Sequence, residues 1–276
     1  MNLVVQGGRI DDDVLSALKH ACTPKRIEHV DANAVRLVGA SESGRVASIC
    51  AEAELDWAWM PEERRLRDFG LFVTDMDSTL IDIECIDEIA GMQGLKAEVA
   101  AITEAAMRGD IDFGESLTRR VSVLAGLPEA ALGQVYDQRM RLNPGAERLM
   151  AGLKAAGVHT VLVSGGFTYF TERLKARLGF DDAYANELEI RDGLLTGKII
   201  GPVVDGPAKA AHLRRIRDAL RLDPDRVIAV GDGANDAPML RAAGLGIAFR
   251  AKPILREVAD CAIDHAGLDG ILNLLG

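Results

Sequence analysis

Four short apolar runs punctuate the chain beyond residue 66: Leu71-Phe72-Val73-Thr74, Thr160-Val161-Leu162-Val163, Val227-Ile228-Ala229-Val230 and Leu245 to Phe249. Strands apolar on both faces belong inside a parallel sheet that is covered on both sides. Between these runs the period lengthens to that of a helix, over Ala146 to Ala156, Phe170 to Leu178 and Lys209 to Leu220, where Leu213, Ile216 and Leu220 share a face. The alternation predicts an α/β fold with a doubly wound parallel sheet. One connection is too long for a simple crossover. From Asp82 to Arg141 the pattern stays helical, with Ile86, Ile89 and Ala90, then Val99, Ile102 and Ala106, at helical spacing. It predicts an all-helical cap, residues 83–142, inserted after the first core strand and ending near Asn143-Pro144-Gly145.

The first 66 residues read as a separate small α+β unit. Leu3-Val4-Val5 is a β run, and Asp11 to Asp13 supply a cap and first-turn acids for a helix through Val14, Leu15 and Leu18. Val35 to Val38 alternates as a strand, Val46 to Leu55 is helical, and Trp57 and Trp59 fall on one face of a further strand. The polar run Pro61-Glu62-Glu63-Arg64-Arg65 reads as a linker to a core spanning 67–276.

Composition narrows the function. Apolar residues make up 48% and charged ones 27%, enough for a packed core and against wholesale disorder. With 32 basic and 42 acidic side chains the formal charge is −10, which argues against a nucleic-acid or anionic-membrane surface. An anionic substrate must then be drawn in by a local cluster of cations. No stretch approaches the ~18 apolar residues of a membrane helix, and Met1 to Gln6 has no basic leader, so the expected location is cytoplasmic. Cys22, Cys50, Cys85 and Cys261 form no C-x-x-C pair and are expected to be reduced thiols. The five histidines share no metal-ligand spacing.

Three predicted strands end in polar residues: Asp75-Met76-Asp77-Ser78-Thr79, Ser164-Gly165-Gly166 and Gly231-Asp232-Gly233-Ala234-Asn235-Asp236. Ligands of open parallel sheets bind beyond the carboxyl ends of the strands. A single Asp there is explained by helix capping, but three such ends together predict an acidic, glycine-lined pocket suited to a divalent cation. Ser164-Gly165-Gly166 can close backbone N–H groups and a hydroxyl on an anion. Gly206-Pro207 predicts a helix start with Pro first, placing Lys209 in the first turn, where the helix dipole disfavours a cation unless an anion is near.

In order and spacing, Asp75-Met76-Asp77-Ser78-Thr79-Leu80, Ser164, Lys209 and Gly231 to Asp236 resemble the four motifs of the haloacid dehalogenase superfamily. The wording DMDSTLIDIE, VSGGF and GDGANDAPML is similar to that superfamily's phosphoserine phosphatase family, over residues 69–276. The resemblance implies a Mg²⁺-dependent phosphatase acting on O-phospho-L-serine, in the last step of serine biosynthesis. By it, Asp75 is the nucleophile that forms an aspartyl-phosphate and Asp77 the general acid and base. One Mg²⁺ per site is held by Asp75, the backbone carbonyl of Asp77 and Asp232, with Asp236 orienting waters or Lys209. Ser164, Gly165, Lys209 and Asn235 hold the phosphate. In the cap, Glu84 receives the substrate ammonium, Arg120 its carboxylate, and Met107 and Phe113 wall off water. Arg119, Asp82 and Asp87 are read as solvated or structural. Three alternatives remain open: a phosphatase or phosphotransferase of the same superfamily acting on phosphohomoserine or another phosphorylated metabolite, and an amino-acid sensor with an inactive core. The N-terminal unit is compatible with a truncated ACT-like module, either regulatory or the contact of a homodimer.

Overall fold

The computed structural model describes residues 1–107 and 110–276, apart from the Met107 side chain. The chain opens with β1 (Asn2–Gln6), α1 (Asp12–Cys22), β2 (Arg26–Asp31), β3 (Ala34–Val38), α2 (Arg45–Glu52) and β4 (Asp56–Met60). Asp11 caps α1 by accepting the Val14 N–H at 3.0 Å, with Asp12 and Asp13 in the first turn. Helix α2 stops at Glu52 rather than Leu55, because Glu54 turns left-handed at φ 53°. The strands form one antiparallel sheet, ordered β2-β3-β1-β4. The six elements follow the order of a split β-α-β-β-α-β module. Strand β2 escaped the sequence pattern because Arg26-Ile27-Glu28-His29-Val30-Asp31 sits half-exposed at the sheet edge and lacks an apolar run.

This sheet has two buried faces. Leu3, Val5, Val35 and Leu37 pack with Leu18, Cys22, Val46 and Cys50 of its helices. Val4, Ala58 and Met60 point the other way and join the core of the rest of the chain, in one cluster with Leu268, Ile271 and Leu274. Buried Asp56 ties the two parts together, accepting the N–H groups of Asp264, His265 and Ala266 at 2.8–3.1 Å.

After β5 (Leu71–Thr74) come the cap helices α3 (Cys85–Met92), α4 (Lys96–Met107), α5 (Phe113–Val123) and α6 (Ala130–Gln138). The chain returns through α7 (Ala146–Ala155), β6 (His159–Phe167), α8 (Thr168–Leu178), β7 (Asp182–Arg191) and β8 (Leu194–Ile200). It closes with α9 (Gly206–Ala219), β9 (Val227–Gly231), α10 (Ala237–Leu240), β10 (Leu245–Phe249), α11 (Pro253–Arg256), β11 (Cys261–Ile263) and α12 (Gly270–Leu275). Seven strands lie in the order β11-β10-β9-β5-β6-β7-β8. Every pair is parallel except the β7–β8 hairpin at one edge. Leu71 and Val73 face Leu213 and Ile216 of α9, while Phe72 faces the opposite core, so the sheet is covered on both sides as its apolar strands require.

The hairpin is a feature the strand pattern did not reveal, and it reaches the cap. Leu195 exchanges backbone hydrogen bonds with Gly126 and Leu127, both at 2.8 Å, and the Glu129 N–H donates to the Gly193 carbonyl at 2.9 Å. Gly197 sits where a Cβ would come 2.9 Å from that of Ala125, so the hairpin packs directly on the end of α5. Among the described residues no helix is long and apolar enough to cross a membrane.

Candidate active site

Parallel register sets the site. Thr74, the last residue of β5, lies abreast of Leu162 on β6 and Val230 on β9, so three strand ends open on one edge. Asp75 follows at once, buried, its N–H on the Val230 carbonyl at 3.0 Å. One of its carboxylate oxygens, Oδ1, accepts the Met76 N–H at 2.7 Å and lies 2.8 Å from Lys209 Nζ. Lys209 is fully buried and also donates to Asp236 Oδ1 at 2.7 Å. The other Asp236 oxygen accepts the N–H groups of Asp232 and Gly233 at 3.2 Å. Oxygens of Asp75, Asp232 and Asp236 lie within 4.8 Å of one another.

Lys209 is delivered by the start of α9. Asp205, not Gly206, is the cap, and it accepts the Ala208 N–H at 2.9 Å, which puts Pro207 second in the helix. A Cβ on Gly206 would stand 2.7 Å from the Asn235 carbonyl oxygen, so glycine lets this helix end reach the acidic turn.

Charge is unbalanced here. Burial alone would push the Lys209 ammonium down, but Asp236 and Asp75 outweigh it and hold it above the lysine range. Burial and the charge of Asp236 push Asp75 well up, against Lys209. Burial, then Asp236 and Glu84, push Asp232 up to about 7. Burial, then Glu84, push Asp77 up to about 7, opposed by hydrogen bonds from Cys85. Lys209, with Lys252 acting on Asp232, leaves a carboxylate excess among these acids, and an all-oxygen donor set of this kind fits a hard divalent cation.

The sign of the pH effect follows. Asp77 and Asp232 hold protons to about pH 7 in the folded chain, whereas an unfolded Asp releases its proton near 3.9. In that window the folded state binds more protons, so stability declines as pH rises through it. The melting temperature in EDTA is expected to fall from pH 5 to pH 8, and Mg²⁺ to recover it at pH 8 far more than at pH 5. The difference between the two conditions cancels groups remote from the site; an equal Mg²⁺ effect at both pH values would overturn this account.

The remaining sequence-derived residues fall into two sets. Ser164 is fully buried, its Oγ accepting the Gly166 N–H at 2.8 Å. A Cβ on Gly166 would lie 2.6 Å from Asp77 Oδ2, and one on Gly165 would lie 3.0 Å from Phe113 Cζ. Phe113, the first residue of α5 after its Asp112 cap, thus lies on the glycine loop. Half-buried Asp77 accepts the Cys85 N–H at 3.2 Å, which anchors the first cap helix. Glu84 is exposed at the α3 cap and accepts the Ser78 hydroxyl at 2.8 Å, Ser78 itself being left-handed at φ 55°. Asn235 is half-buried in the turn Ala234–Asp236, its side chain against Gly233.

Arg120 stands apart. Among the described residues no hydrogen bond ties it to the acids, and its Nε is buried without a partner. It faces Asp87: burial pushes that carboxyl up, the Arg120 charge draws it down, and Asp87 Oδ1 is likewise buried and unpartnered. Asp87 is therefore the neighbour of Arg120 rather than a solvated charge. The Met107 side chain lies outside the described residues. Thr79 of the first motif, given no role by the sequence, donates its buried hydroxyl to Asp232 Oδ1 at 3.2 Å, and the motifs passed over Asn186 on β7, which hydrogen-bonds the glycine loop. The available signal for Asn186 was a carboxamide inside an otherwise strand-like run, Ala183 to Ile190.

Comparison with known proteins agrees with this geometry. Residues 72–241 match the family of haloacid dehalogenase-like hydrolases. A phosphoserine phosphatase of Albidiferax ferrireducens is 53% identical over 215 residues, 76% of this chain and 91% of that one. A crystal structure of a probable phosphoserine phosphatase from Vibrio cholerae superposes with a TM-score of 0.86 at 38% identity, covering 99% of this chain and 86% of the other. A HAD family hydrolase from Salmonella enterica serovar Typhi gives 0.88 at 34% identity, covering 99% and 97%. The last two coverages take in the N-terminal sheet as well as the core. With motif residues converging at one sheet edge under a helical cap, and relatives matched over most of their length, the chain is a phosphatase that belongs to the haloacid dehalogenase-like hydrolases and, within them, to the phosphoserine phosphatase family.

Proposed function

We propose that this enzyme hydrolyses O-phospho-L-serine to L-serine and phosphate through an aspartyl-phosphate on Asp75, completing serine biosynthesis in the cytoplasm. The observation that carries the reading is buried Lys209 spanning Asp75 and Asp236 at the sheet edge where the Ser164-Gly165-Gly166 loop, with Phe113 against it, also emerges. Lys209 and the Met76 N–H anchor one Asp75 oxygen and leave the other to attack phosphorus in line with the departing serine oxygen. Asp77, with its carboxyl pushed up to about 7, carries a proton for that oxygen near neutral pH and afterwards takes one from the attacking water. Asp75, Asp232 and the Asp77 carbonyl would hold one Mg²⁺, which when bound supplies the charge that lets a carboxylate approach a phosphate dianion.

Ser164, the Gly165 N–H, Lys209 and Asn235 are assigned to the phosphoryl oxygens, stabilising charge as it develops. Glu84 is assigned to the substrate ammonium and Arg120 to its carboxylate, with Phe113 and Met107 excluding water. The unpartnered Arg120 Nε supports that assignment, since the guanidinium still has a donor to give.

Phosphate release from L-phosphoserine, phosphothreonine, phosphohomoserine and an aryl phosphate, each with Mg²⁺ and with EDTA, tests the proposal. Metal-dependent preference for L-phosphoserine is the expected result. Metal-dependent release without that preference keeps the chemistry and discards the substrate; no release from any of them discards both. Arg120→Ala is expected to raise KM for L-phosphoserine about ten- to a hundred-fold, the loss of one charge-assisted pair. The aryl phosphate, lacking a carboxylate, is expected to change little, and equal losses on both would make Arg120 structural.

A further inference from the structure

The glycine loop interrupts its own strand. Val163 pairs with Tyr184 and Phe167 with Asn186, so four steps along β6 match only two along β7. Ser164, Gly165 and Gly166 are thus bulged out of the ladder, and their backbone groups need partners from elsewhere. Asn186, 1% exposed, supplies them from its side chain. Its Nδ2 donates to the Gly165 carbonyl at 2.8 Å and to the Gly166 carbonyl at 3.3 Å, while its Oδ1 accepts the Val204 N–H at 2.8 Å. The carboxamide orientation is unambiguous, because carbonyls can only accept and a backbone N–H can only donate.

Two consequences meet in the site. Val204 immediately precedes Asp205, the cap of α9, so one side chain joins the glycine loop to the helix that delivers Lys209. The Gly165 carbonyl and the Gly166 N–H also belong to a single peptide group. Asn186 holds one end of that group, and the other end donates to Ser164 Oγ at 2.8 Å. With its oxygen accepting there, the Ser164 hydroxyl is left to give its own hydrogen away. Donors linked through one peptide polarise each other in the same sense.

We infer that Asn186 is a positioning residue that, through the Gly165–Gly166 peptide, presents the Ser164 hydroxyl as a donor to the phosphoryl group. The inference rests on the phosphatase reading above, in which Ser164 faces phosphate. The test is a double-mutant cycle on inorganic phosphate binding, measured by calorimetry with Mg²⁺ present, using Asn186→Leu, which preserves volume, and Ser164→Ala. Asn186→Leu is expected to weaken phosphate about ten-fold in the wild-type background and less than about two-fold alongside Ser164→Ala. Equal weakening in both backgrounds would make Asn186 a structural residue only and overturn the inference.

A second readout needs no change at Asn186. In an otherwise unaltered chain, Ser164→Ala is expected to shift the Asn186 side-chain NH₂ signals in a ¹⁵N spectrum, and unmoved signals overturn the link even where Asn186→Leu fails to fold. The two readings fail separately. A wild-type protein that binds phosphate but releases none from L-phosphoserine loses the substrate assignment, while the cycle still decides Asn186. An active wild type with an additive cycle loses only Asn186.

Discussion

Asp75→Asn is expected to remove at least about a thousand-fold of turnover, as deletion of a nucleophile does, while leaving the metal-free protein as stable as the wild type or more so. The two halves have different causes. Asparagine cannot form an acyl phosphate, so no phosphoenzyme is trapped on acid quench with labelled substrate. Its carbonyl oxygen can still accept from the Met76 N–H and from Lys209, the contacts Asp75 makes at 2.7 and 2.8 Å. What disappears is a buried charge that the fold resists, since burial and Asp236 already push the Asp75 carboxyl well up. The expected pair is therefore an inert enzyme with an unchanged or raised melting temperature in EDTA. Turnover within about ten-fold of wild type would displace Asp75 from its role; a large fall in melting temperature would mean that its charge supports the fold.

Legibility followed burial. The unbroken apolar runs announced β5, β9 and β10 within a residue, because a strand covered on both faces has no polar positions to blur it. The β7–β8 hairpin left no such trace. Its inner positions include Asn186 and Leu188, while Leu194 and Ile200 are exposed at the edge, so the run is mixed. The cap's existence was readable from helical spacing, but not its attachment, because the hydrogen bonds from Leu195 to Gly126 and Leu127 are made by backbone atoms. The element pattern and the polar run Pro61 to Arg65 likewise marked residues 1–66 as separable. Only the parity of β1 and β4 shows that Val4, Ala58 and Met60 complete the main core. In the site, the acids and Lys209 could be placed by motif, whereas Asn186 and Asp87 act through partners distant in sequence. No local pattern encodes such pairs: Asn186 meets Gly165 across 21 residues.

The attachment bears on how substrate gets in. A cap hinged only at its two crossing strands could swing as one body. Here Ile81 pairs with Leu142 at that crossing, and the hairpin holds a second point at the α5–α6 turn. Opening as one body would break three backbone hydrogen bonds or carry the hairpin along. The C-terminal end of α5 is thereby tied to the sheet, while Phe113 stands at the opposite end of the same helix, against Gly165.

Lys209→Met is expected to be the most damaging single change to the fold, for the reason opposite to Asp75→Asn. Lys209 is, among the described residues, the one ammonium within 2.8 Å of Asp75 and Asp236, and it is wholly buried. Methionine of similar length leaves those carboxylates facing each other without compensation. Breaking a buried pair from one side costs about 3–5 kcal/mol, roughly a 10 °C fall in melting temperature for a chain of this size. The fall should be largest at pH 8 in EDTA and smaller at pH 5, where the acids can take up protons instead. Mg²⁺ should return part of it, and Lys209→Arg should not, because the branched guanidinium has no room at a fully buried position. Combining Lys209→Met with Asp236→Asn separates fold from chemistry: removing the second charge is expected to recover most of the melting temperature while turnover stays lost. If the double variant melts no higher than Lys209→Met alone, charge repulsion is not what the lysine relieves, and its place between the two acids is a matter of packing.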